Sequence, residues 1–73
     1  MAEPDNARMA RNLTTIGWSS GELARRTGLR ERTVRRMLSG SAEIPPNLAS
    51  WLDYMAAYML AAQQQPEGWN RDG

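Results

Sequence analysis

At 73 residues the chain is long enough for one domain with a small core, which is expected to be marginally stable alone or to associate. It has no cysteine, histidine or lysine, which excludes disulfide staples, the common zinc sites and the histidine or lysine base of a serine hydrolase, so no cofactor or metal is expected. The net charge is only +1, yet residues 19–40 hold six arginines against Glu22 and Glu31, a balance of +4, while the remainder carries −3; this concentration suggests a polyanion partner or a solvated arginine-rich face.

The opening MAEPDNARMA carries acids and no apolar run, so it is not expected to be a signal peptide. No stretch approaches membrane-span length, and a soluble, cytoplasmic protein is expected. Residues 1–5 form an arm, with Asp5 capping, after Pro4, a first helix from about Asn6 to Thr15. Met9, Leu13 and Ile16 fall at i, i+4 and i+7, one face of that helix. The next stretch, GWSSG, matches the G-x-S-x-G of a hydrolase nucleophile elbow, but an elbow needs a preceding strand as well as a base, and the residues before it are helical in period. A joint between helices fits better. Ser19 is the N-cap and Glu22 lies at N3, a capping box; Trp18 and Leu23 form the hydrophobic staple, and Gly17 is the glycine that ends the first helix.

A second helix from Ser20 to Thr27 turns Leu23, Ala24 and Thr27 inward, and Gly28 supplies its left-handed exit. A third begins three residues on. In RERTVRRMLSG, Val34, Met37 and Leu38 share one face, leaving Arg32, Arg35, Arg36 and Ser39 opposite, and Gly40 closes the helix. SAEIPP is a loop with a proline-marked start for the longest helix, in which Leu48, Trp51, Leu52, Met55, Met59 and Ala62 follow a helical period to about Gln63. Trp51 is expected in the core by this stripe. QQQPEGWNRDG has no periodicity, and residues 64–73 are expected to be a disordered tail, with Trp69 lacking a partner. The expected fold is all-α, a small four- to five-helix bundle, with residues 6–63 forming one domain.

Two short helices joined by a three-residue turn, the second bearing its arginines outward, have the helix-turn-helix layout. Ala24 permits close crossing, Leu29 plugs the turn, and Val34 with Met37 anchors the third helix so that its far side faces a major groove. SSGELARRTGLRERTVRRMLSG resembles the DNA-binding domains of the lambda-repressor-like family, the phage repressor and Cro type. Leu23-Ala24, Gly28, Val34 and Ser39-Gly40 match its spacing without a gap, and IPPNLASWL resembles the helix that follows in many small members. The resemblance spans about residues 8–60. It implies base-facing positions for Arg30, Glu31, Arg32 and Arg36, and phosphate contacts from Ser20, Arg35, Ser39, Gly40 and Ser41. The chain departs from many relatives in having Ser20 where they have glutamine, and in a loop that carries Glu43 and two prolines.

Some residues keep two readings. Arg25 and Arg26 touch phosphate or are solvated. Glu31 accepts from a cytosine N4 or complements the helix dipole. Tyr54 and Tyr58, with Ala61 on the next turn, form a second stripe on the long helix, which is either a twofold dimer interface or an idle surface. The function expected from these features is a sequence-specific double-stranded DNA-binding transcriptional regulator. It would act as a homodimer on a palindromic operator and repress by occluding a promoter, with no small-molecule ligand and no membrane partner. The rivals are a DNA-binding antitoxin whose tail folds on a toxin, and a protein-interaction module on the same fold.

Overall fold

In the computed structural model, residues 3–64 are described; the expected tail beyond Gln64, with Trp69, lies outside the described residues. Four helices follow one another: α1 (Asp5–Ile16), α2 (Ser20–Thr27), α3 (Glu31–Ser39) and α4 (Pro46–Ala62), with no strand among the described residues. The all-α class and the four-helix arrangement match the reading of the sequence. Helix α1 packs most extensively on α4, and α3 packs on both α2 and α1. No helix among the described residues is long and apolar enough to cross a membrane.

Each boundary has a local cause. Gly17 ends α1, its N–H donating to the Leu13 carbonyl at 2.8 Å. Ser19 caps α2, its hydroxyl accepting the Glu22 N–H at 3.1 Å, so GWSSG is the helix joint that the capping pattern predicts. The other half of the capping box does not form. The Glu22 carboxylate accepts instead from Arg25 and Arg26, at 3.0 Å each. Two guanidinium groups at i+3 and i+4 make stronger, charge-assisted bonds than one backbone N–H. They hold the Glu22 carboxyl below its usual range, Arg26 foremost. At the start of α1 the cap position belongs to Pro4, without a side-chain bond, and Asp5 is the first helical residue. Asp5 is thereby a first-turn acid that complements the dipole rather than a cap.

Gly28 and Gly40 bracket α3 with φ of 78° and 85°, a left-handed backbone that side chains other than glycine adopt only with strain. Within the turn, the Thr27 hydroxyl donates to the Leu23 carbonyl at 2.8 Å and accepts the Leu29 N–H at 3.3 Å. The α2–α3 connection is therefore tied back to α2 at its start.

The core consists of Met9, Leu13 and Ile16 from α1, Leu23 and Ala24 from α2, Val34 and Met37 from α3, and Leu52 and Ala56 from α4. The α1 and α3 members are all expected from periodicity; Leu38, expected with them, is half-buried. Helix α4 is phased differently. Leu52 and Ala56 are buried, Leu48, Met55 and Met59 are half-buried, and Ala62 is exposed. Trp51 is 38% exposed, which corrects its assignment to the core. It lies about a quarter turn from Leu52, and its ring leans on that of half-buried Trp18, with centroids 5.8 Å apart. The Arg26 guanidinium covers the Trp18 ring at 4.8 Å, a cation–π contact that continues the Glu22 cluster.

A polar clamp joins α1 to α4. Asp53 accepts a bidentate pair of bonds from Arg8, through Nε at 2.9 Å and through Nη2. It accepts a third from the buried Asn12 at 2.7 Å. The hydrogen bond from Arg8, followed by that from Asn12, holds the Asp53 carboxyl below its usual range against the opposing effect of burial. A carboxyl with a lower pKa in the folded than in the unfolded chain adds stability above its unfolded value, and loses that contribution as pH falls through the folded one. The unfolded value is about 4. Thermal unfolding is therefore expected to show Asp53→Asn melting below the wild type at neutral pH, and losing less Tm than the wild type between about pH 5 and pH 2. Equal acid sensitivity of the two proteins would contradict the clamp.

Candidate nucleic-acid interface

The outward side of α3 follows from what lies beneath it. Val34 and Met37 are buried and Leu38 is half-buried, so at 100° per residue Arg32, Arg36 and Ser39 project to the opposite side. Arg30 stands at the N-cap, without a side-chain capping bond. From behind, Asn6 of α1 donates to the Leu38 carbonyl at 3.3 Å. The basic helix is thus held at its turn by Gly28 and Leu29, along its underside by Val34 and Met37, and at its end by Asn6.

Ion pairing separates the arginines into two groups. Arg8 pairs with Asp53, Arg11 with Glu3, Arg25 and Arg26 with Glu22, and Arg35 with Glu31. Arg30, Arg32 and Arg36 are exposed, and among the described residues they form no ion pair. These three are the arginines to which the resemblance assigns bases. Glu31, the fourth such residue, differs. Its Oε1 pairs with Arg35 at 3.0 Å, and its Oε2 lies against Gly21 of α2, 3.0 Å from where a Cβ there would stand. Glu31 and Arg35 therefore occupy the flank of α3 that faces α2. Arg25 and Arg26 are both engaged by Glu22, though their side chains remain exposed.

The five residues expected at phosphates are spread around this face. Ser20 is the first residue of α2 and half-buried, and its hydroxyl makes no hydrogen bond among the described residues. At the far end of α3, the Gly40 N–H donates to the Met37 carbonyl at 3.2 Å and the Ser41 N–H to the Arg36 carbonyl at 2.8 Å. Both backbone donors are thus committed to closing the helix. The side chains there are exposed but also partnered: the Ser39 hydroxyl donates to the Arg36 carbonyl at 3.0 Å and lies 3.0 Å from the Ser41 hydroxyl. Sequence reasoning missed the roles of Arg8, Asn12 and Asp53, which orient α1 and hence the helix it supports. The available signal was that Asp53 is the single charged residue in α4.

The three residues of the dimer stripe are all exposed on α4, Tyr54 by 69% and Tyr58 by 63%. With Trp51 they fall at i, i+3, i+7 and i+10, a strip about 15 Å long at 1.5 Å per residue. It lies away from the Leu52–Ala56 side that meets α1.

No protein-family model, no curated protein sequence and no solved structure matches the chain.

Proposed function

We propose that the protein is a cytoplasmic, sequence-specific double-stranded DNA-binding regulator that inserts α3 into the major groove and represses by covering a promoter. One observation carries this reading. Of the eight arginines among the described residues, five are neutralised by ion pairs within the chain, and the three left over gather at the start and outward face of one helix. An unpaired guanidinium on a seated helix suits the O6 and N7 acceptors of guanine, which it meets with two parallel hydrogen bonds. The resemblance to lambda-repressor-like domains rests on the same residues. Ser19, the residue an elbow would use as nucleophile, serves as a helix cap, and the proposal gives the protein no catalytic role.

The proposal includes a twofold dimer through α4. This helix has one charge in 17 residues, and Arg8 already pairs with it, leaving the Trp51–Tyr54–Tyr58–Ala61 strip uncharged. A second copy covers the strip most simply, because an isologous contact buries the same residues on both sides. Such a dimer sets two α3 helices about 34 Å apart and calls for half-sites about 10 base pairs apart.

Binding to a preferred duplex is expected to fall steeply with salt as arginine contacts release condensed counterions. Arg36→Ala is expected to weaken that binding by about 1–3 kcal/mol and relax one base position. Fluorescence anisotropy on a set of duplexes across a salt series reads both effects; a flat salt response would contradict DNA as the ligand and favour an acidic protein partner.

The double variant Tyr54→Glu, Tyr58→Glu is expected to remain folded but become monomeric, with greatly weakened operator binding. Light scattering of the unmodified protein at high micromolar concentration checks the premise. A monomer that binds one half-site as tightly as a palindrome would contradict the dimer.

A further inference from the structure

We propose that Glu31 is the internal counterion of Arg35, holding that arginine off a nucleic-acid phosphate, so that Glu31 sets the general affinity of the α3 face rather than reading a base. The inference rests on the DNA reading above and assigns a role to the acid within that basic face. Three features of the geometry lead to it. Glu31 precedes Arg35 by one helical turn, the favourable order for such a pair, and the carboxylate accepts from Nη2 at 3.0 Å. Its second oxygen lies against Gly21 of α2, where a Cβ would come within 3.0 Å of it. The carboxylate is therefore turned toward α2, away from the side where Arg32, Arg36 and Ser39 project. To accept from a cytosine it would have to leave both Arg35 and its place over Gly21.

The pair is also weak enough to be exchanged. Both side chains are substantially exposed, 47% for Glu31 and 66% for Arg35, and a solvent-screened pair of this kind shifts an equilibrium by no more than about fivefold. A phosphate oxygen approaching α3 takes over the guanidinium only by displacing the Glu31 carboxylate from it. Glu31 is thus a positioning residue that acts through Arg35. It lowers binding to every sequence alike and leaves discrimination to the unpaired arginines.

The test compares wild type, Glu31→Gln, Arg35→Gln and the double variant on three probes: a preferred duplex, a random-sequence duplex and heparin as a plain polyanion. Circular dichroism checks that all four are folded. Glu31→Gln is expected to tighten both duplexes by about two- to fivefold and to steepen the logarithmic salt dependence by about one phosphate contact. Neither gain is expected when Arg35 is absent. Weakened binding confined to the preferred duplex, with one base position relaxed, would mean that Glu31 reads a base and would overturn the inference. Equal gains with and without Arg35 would reduce the effect to loss of a negative charge and overturn it as well. Heparin separates the two proposals. If no variant binds duplex DNA, yet Glu31→Gln elutes from heparin at higher salt only when Arg35 is present, the DNA reading fails and the Glu31–Arg35 pairing stands.

Discussion

The seating of α3 by Val34 and Met37 is the constraint on which the other features depend. Both side chains are almost fully buried, and burying each contributes about 1.5–3 kcal/mol. A helix of nine residues held at these two positions cannot rotate about its axis without exposing them. Its arginines then project outward without any interaction of their own being required. The left-handed glycines at both ends and the Thr27 bonds in the turn confine the same helix along its length.

Charge is distributed so that this outward face keeps its sign. Acids elsewhere are used locally: Glu22 takes two arginines of α2, Glu3 takes Arg11, and Asp53 takes Arg8. The long helix α4 contributes no other charge, which leaves its Trp51–Tyr54–Tyr58 side suited to another apolar surface. The basic helix and the uncharged aromatic strip lie on different parts of the fold, and the proposed function assigns the first to DNA and the second to a partner copy.

The helix-turn-helix region was the most legible part of the sequence because its signals are short-range. Ser19, Gly28 and Gly40 each act on the backbone within a few residues, and they mark α2 and α3 closely. Helix α4 was harder to phase. With apolar residues around nearly its whole circumference, periodicity did not distinguish the buried Ala56 from the partly exposed Trp51. A small residue on the core side is buried, while a large one about 140° around the helix is not. The Arg8–Asn12–Asp53 clamp was not legible, since its members lie 41 and 45 positions apart and none belongs to an apolar stripe. Glu22 shows a nearer kind of competition: its capping pattern was visible, and so were Arg25 and Arg26 at the spacings that draw its carboxylate away.

The central claim is that an arginine face held rigidly by the core discriminates among DNA sequences. Selection of bound molecules from a pool of random duplexes tests it most directly, because it presupposes neither the site nor the gene. The account predicts enrichment of an inverted repeat with guanines in each half-site and centres about 10 base pairs apart. A pool that remains random after repeated rounds, while the protein stays folded, would contradict it.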